Sequence, residues 1–184
     1  MLPHNGWQSG TIVELMPTQI GVGEFQFLMP ALARISSSER HVAFIAPPYI
    51  PFAPALQRHG VQLERLLIVN ATKNADALWA AEQTLRCKSF GAVVAWPETI
   101  KDRDVRRLQL AAEAGRSVGF LYRSPAAALE ASPAAVRLKL QPEASGQLKV
   151  DVLKCRGARS GFSFKTDTAA ADLAQPSPEL LASG

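Results

Sequence analysis

Thr11-Ile-Val-Glu-Leu-Met16, followed by Pro17-Thr-Gln-Ile-Gly21-Val-Gly23-Glu24-Phe25, is the stretch on which the reading of the fold turns. Its β-branched and apolar run predicts a strand over 11–16, and Gly21 and Gly23 mark the loop that follows. Beyond the loop, Phe27, Leu28, Ala31, Leu32 and Ile35 recur at helical spacing, so a helix with one apolar face is expected over 24–37. Strand, glycine loop and helix open a βαβ unit.

The alternation continues outward. Strands are expected over 41–46, 66–69, 92–96 and 118–122, with the clearest amphipathic helices over 73–87 and 101–114. Ala92-Val-Val-Ala-Trp96 is apolar throughout, as a central parallel strand buried on both faces must be. Pro47, Pro48, Pro51 and Pro54 break the chain after the second strand into a turn and a short helix. After Pro125 the pattern changes: 136–140 and 148–153 alternate apolar and polar residues, which predicts half-buried antiparallel strands turning at Gly146. From Thr166 the chain is rich in Ala, Ser and Pro without period. The expected organisation is one α/β domain over 1–165, a largely parallel sheet flanked by helices in three layers with a C-terminal antiparallel extension, and a flexible tail over 166–184.

Composition narrows the function classes. The chain has 184 residues, enough for one domain with a real core, and carries a net charge of +4. The tail holds Asp167, Asp172 and Glu179 without a basic residue, which leaves +7 on the body, a charge suited to nucleic acid or an acidic protein surface. No apolar run approaches a membrane span, and the first 15 residues lack the pattern of a signal peptide, so a cytoplasmic protein is expected. Cys87 and Cys155 lie far apart, and His4, His41 and His59 are scattered, so neither a disulfide framework nor a metal site is expected. Ser132, His41 and His59 assemble with no acid at a spacing that would suggest a hydrolase.

The glycine loop sits where a phosphate-binding loop would lie. Such a loop needs a lysine after its last glycine, to reach the β- and γ-phosphates, and then a hydroxyl residue for magnesium. Those places carry Glu24 and Phe25. A carboxylate repels phosphate, and a phenyl ring offers magnesium nothing. The degenerate loop Gly21, Gly23, Glu24 and Phe25 therefore predicts neither nucleotide cofactor nor ATPase activity.

Gly10-Thr-Ile-Val-Glu14-Leu resembles the strand before the phosphate loop of RecA-type recombinases. Val42-Ala-Phe-Ile45 is similar to the strand that ends there in a catalytic glutamate, and Ala92–Trp96 to the one that ends in a magnesium-binding aspartate; neither acid is present. Within that superfamily the chain resembles the ImuA/SulA family. The segments that carry the resemblance are Leu2-Pro-His-Asn-Gly-Trp7, Gly21-Val-Gly-Glu24, Met29-Pro-Ala-Leu-Ala-Arg34, Ile45-Ala-Pro-Pro-Tyr-Ile-Pro51, Ala77-Leu-Trp-Ala-Ala-Glu-Gln83, Arg106-Arg-Leu-Gln109, Ser132-Pro-Ala-Ala135 and Leu153-Lys-Cys-Arg-Gly157. The match to ImuA implies a RecA-like fold and a non-catalytic accessory role in SOS-induced translesion DNA synthesis. The protein would then be a mutasome adaptor, with an ImuB-like Y-family protein, the error-prone polymerase and RecA as partners. The alternative within the same fold is a SulA-type SOS cell-division inhibitor that binds FtsZ and blocks its polymerisation. Relatives of RecA often self-associate, so a homo-oligomer stays open.

Interaction residues can be nominated from their chemistry. Tyr49, Ile50 and Phe52 belong to a proline-braced segment beyond a strand's C-terminal end, the edge at which open α/β sheets place their sites; the segment reads as a binding loop or as a plain connection. Trp79 is either an interface anchor or packing at a helix–sheet edge. Arg103, Arg106 and Arg107 are a partner-binding run or a solvated helix face. Lys149, Lys154, Arg156, Arg159 and Phe162 mix bases with an aromatic ring, as a weak DNA contact or a charge-protected edge strand would.

Overall fold

The computed structural model describes residues 6–167 apart from 20, 22, 144, 145 and 158. Its strands are β1 (Thr11–Pro17), β2 (His41–Ile45), β3 (Leu66–Val69), β4 (Phe90–Ala95), β5 (Val118–Tyr122), β6 (Val136–Pro142), β7 (Gln147–Cys155) and β8 (Phe162–Asp167), and its α-helices are α1 (Met29–Ser37), α2 (Ala53–Arg58), α3 (Asn74–Arg86) and α4 (Asp102–Gly115). The strands form one sheet in the order β3-β2-β4-β5-β1-β6-β7-β8. Every pairing from β3 through to β6 is parallel, and β7 and β8 add antiparallel strands. The fold is thus mixed α/β. No helix among the described residues is long and apolar enough to cross a membrane.

Side-chain alternation along the strands divides the interior in two. Val13, Leu15, Phe44 and Phe120 share one core with Leu28, Leu32 and Ile35 of the α1 region and Leu56 of α2. Ile12, Ala43, Val93 and Leu121 pack on the other face with Ala81 and Leu85 of α3 and with Leu108 and Ala112 of α4. Strands β4 and β5, covered on both faces, are buried almost throughout.

Three expectations are corrected. The first helix begins at Met29, five residues later than its apolar spacing predicts, because Gly23 takes φ +90° and Pro30 belongs in a first helical turn; Gln26–Leu28 form a short 3-10 turn instead. Strand β6 is antiparallel only to β7; towards β1 it is parallel, in the register Val13 to Val136 and Leu15 to Leu138. Apolar alternation reports which faces are buried and says nothing of strand direction. The segment 162–167, expected as a charged stretch running into a tail, is strand β8, with Thr166 opposite Leu148 and Asp167 opposite Gln147. Residues 168–184 of the expected tail lie outside the described residues.

A buried carboxylate ties the centre of the sheet together. Glu14, in the middle of β1, has no solvent exposure. Its Oε1 accepts from Arg123 Nη1 (2.5 Å) and Ser132 Oγ (3.0 Å), and its Oε2 from Arg137 Nε (2.7 Å). Arg137 also donates to the carbonyls of Glu130 and Ala127, both at 2.6 Å, so the β5–β6 connection is fastened to the strands on either side of it.

On the opposite helical layer, α4 ends against α3. A Cβ on Gly115 would stand 2.0 Å from the Leu85 carbonyl oxygen, closer than any side chain tolerates. Arg116 then takes the left-handed conformation at φ +50° and ends the helix. Arg40 gathers the freed carbonyls of Gly115 and Arg116 with those of Lys88 and Phe90, and burial lowers its pKa.

Replacing Glu14 with Gln leaves two buried guanidinium groups facing a neutral amide, and should cost about 3 kcal/mol in urea denaturation. Glu82 is itself buried but pairs with the half-exposed Arg86 and Arg107, so Glu82→Gln should cost less than Glu14→Gln, about 1 kcal/mol. Gly115→Ala should lower stability by about 1–3 kcal/mol through overpacking of α3 against α4, read as an earlier urea midpoint at unchanged slope.

Candidate functional site

The C-terminal ends of the parallel strands open on one side of the sheet. There Pro17 ends β1, Pro47 to Pro51 leave β2, Trp96 and Pro97 follow β4, and Tyr122 to Pro125 close β5. With Glu24 and Phe25 of the glycine loop these residues line a cavity of about 440 Å³. The strand ends are held together by backbone bonds across the sheet, from Ala46 N–H to Val69 C=O (2.8 Å) and from Trp96 N–H to Ile45 C=O (3.1 Å). Ala46 takes φ +51° and so starts the turn into the proline segment.

Aromatic rings form the inner wall. Trp96 and Tyr122 stack with centroids 4.9 Å apart and planes 10° from parallel. Phe25 lies 6.0 Å from Trp96 and edge-on to Phe44 at 5.3 Å. Two buried polar groups interrupt this apolar lining. Glu24, 8% exposed, accepts the Gly21 N–H on Oε1 at 2.9 Å, and its Oε2 has no hydrogen-bond partner among the described residues. The Tyr122 hydroxyl is likewise without one. Burial and then the nearby charge of Glu24 push the Tyr122 phenol well above its usual pKa.

The glycine loop is therefore closed on itself. Gly21 and Gly23 both have positive φ, as the turn demands, but the Gly21 amide that could bind an anion is already given to the loop's own carboxylate. Among the described residues no cluster of three His, Cys, Asp or Glu side chains could hold a metal.

The nominated interaction residues fall into three separate places. Tyr49, Ile50 and Phe52 are 72%, 91% and 69% exposed; the first two line the rim of the cavity, and Phe52 stands just before α2. Trp79, at 63%, lines a different groove between α3 and α4 with Arg103 and Arg107. Arg107 is already paired with Glu82, which also holds Arg86 at 2.9 Å. Arg106 is exposed on α4 outside that groove. In the third place, Lys149 pairs with Asp151 (3.2 Å), Lys154 donates to the Ser132 carbonyl (2.8 Å), and Phe162 packs half-buried against the core beside Phe164; Arg156 and Arg159 are exposed.

Sequence reasoning missed Trp96 and Tyr122 as cavity wall, and it missed the Glu14, Arg123 and Arg137 cluster. One signal was present: a glutamate in the centre of an apolar strand requires a buried partner. Ser132, dismissed as a nucleophile, is part of that cluster.

Comparison with known proteins places this geometry. The family model described as cell division inhibitor SulA matches residues 10–119, from the start of β1 into β5. Cell division inhibitor SulA of Serratia marcescens is 24% identical over 118 residues, covering 64% of this chain and 70% of its own length. SulA of Edwardsiella piscicida is 29% identical over 119 residues, with 62% and 68% covered. The crystal structure of SulA from Pseudomonas aeruginosa superposes with a TM-score of 0.51 at 28% identity, over 61% of this chain and 97% of that one. These matches overturn the expected translesion-synthesis adaptor and give no support to ImuB and the error-prone polymerase as partners. They agree with reading the chain as a protein other than an enzyme, since the family is one of division inhibitors. From β1 to the start of β5, this chain belongs to the cell division inhibitor SulA family.

Proposed function

We propose that the protein inhibits cell division in the cytoplasm by binding FtsZ and blocking its polymerisation, with the Tyr49–Ile50–Phe52 surface as the docking face. The observation that carries this reading is the exposure of three large apolar side chains on a segment braced by Pro47, Pro48, Pro51 and Pro54. Exposed singly, such residues mean little; side by side on a stiff loop they form a contact surface. Burying each of them is worth about 1.5–3 kcal/mol. The prolines reduce the ordering cost of docking.

The groove with Trp79 is the weaker candidate, since its Arg107 is already paired with Glu82 and would have to be released before it could pair with a partner. We read the parallel part of the sheet as a RecA-like frame whose phosphate loop, capped by Glu24, serves to present side chains instead of nucleotide chemistry.

Mixing the purified protein with FtsZ and GTP should abolish sedimentable polymer at roughly equimolar ratio. A charge in the centre of the docking face, Ile50→Asp or Phe52→Asp, should raise the concentration needed by about tenfold or more, at unchanged thermal stability. Trp79→Ala should alter it by less than about twofold. FtsZ that polymerises normally in an excess of the wild-type protein would refute the reading.

A further inference from the structure

The cavity beside the docking face has walls and a floor of opposite character. Phe25, Trp96, Tyr122 and the surrounding prolines offer flat apolar faces, Glu24 lines the same cavity, and Glu24 Oε2 and the Tyr122 hydroxyl are buried atoms, both on side chains more than nine-tenths buried and both without a hydrogen-bond partner among the described residues. A carboxylate oxygen only accepts, so whatever completes this site must bring N–H or O–H donors. Among the described residues of the lining one is basic, Arg123, and its guanidinium is already engaged, with Nη1 on Glu14 and Nη2 on Glu130. Among the described residues, nothing in the cavity wall pairs with Glu24 Oε2.

Few groups satisfy both features. An ammonium ion is strongly hydrated and would lose that water against the apolar walls. A guanidinium is planar, weakly hydrated, stacks on aromatic faces and donates several hydrogen bonds in one plane. Its aliphatic stem suits an apolar entrance, and here the entrance is formed by Tyr49 and Ile50.

We infer that the cavity is a receptor for an arginine side chain of the partner protein, which enters past Tyr49 and Ile50, stacks in the Phe25–Trp96–Tyr122 wall and pairs with Glu24. This rests on the proposed docking face and adds the chemistry that would be recognised there. A phosphate-loop position that lost its lysine would thus have become an acceptor for a cation supplied from outside.

The inference can be tested without FtsZ. N-acetyl-arginine methylamide should shift the Trp96 indole N–H resonance saturably in the millimolar range, with the signal assigned through Trp96→Phe. Glu24→Gln keeps an acceptor for the Gly21 amide and should remove the shift without lowering the melting temperature. N-acetyl-norleucine methylamide, of similar length but uncharged, should have no saturable effect. Equal shifts from both probes, or an arginine shift that survives Glu24→Gln, would overturn the inference. With FtsZ, Glu24→Gln should weaken binding by about thirtyfold or more. One surface Arg→Met variant of FtsZ should then show no further loss on Glu24→Gln, and additivity for every such arginine would overturn the assignment to that partner. Failure of the wild-type protein to bind FtsZ with the probe result intact would sink the proposed function and leave the arginine receptor standing.

Discussion

Glu14 lies at the centre of the sheet with both carboxylate oxygens occupied, and much of the chain's arrangement follows from that requirement. An ionised group in a dry interior is tolerable only when its charge and its lone pairs are matched. Arg123 must therefore stand at the end of β5, Arg137 on β6 and Ser132 in the connection between them. Arg137 in turn takes up the Ala127 and Glu130 carbonyls, and the connection is drawn down onto the strand ends. The same constraint sets one wall of the cavity, since Arg123, Ser124 and Pro125 line it from the start of that connection.

A second constraint acts on the opposite wall. In a phosphate-binding loop the free backbone amides after the first strand await an anion; here Glu24 supplies a permanent one from within the loop. Glu24 also lines the pocket of aromatic rings, and its second oxygen is buried without a hydrogen-bond partner among the described residues. Tyr49 and Ile50, which also line the pocket, are exposed.

The mutasome expectation failed for a physical reason. Several of the segments behind it encode the frame: Met29, Ala31 and Leu32 are buried core of α1, Ala77 and Ala81 are the buried face of α3, and Leu108 and Gln109 are buried in α4. Such residues are selected for packing, and relatives with different partners share them. Partner choice resides in exposed side chains, where a short word in a sequence says little.

The sequence by itself determined most of the strands and helices, through β-branched apolar runs, helical spacing and proline or glycine punctuation, and it placed Glu24 and Phe25 where a phosphate-binding loop would carry a cation and a hydroxyl. Both are local matters, legible within a few residues. Tertiary structure alone decided that β6 runs parallel to β1, that Glu14 meets arginines more than a hundred residues away, and that Glu24, Trp96 and Tyr122 share one cavity. Those facts depend on which strand ends become neighbours when the sheet closes, and strand order is set by the packing of the whole chain rather than by any segment of it.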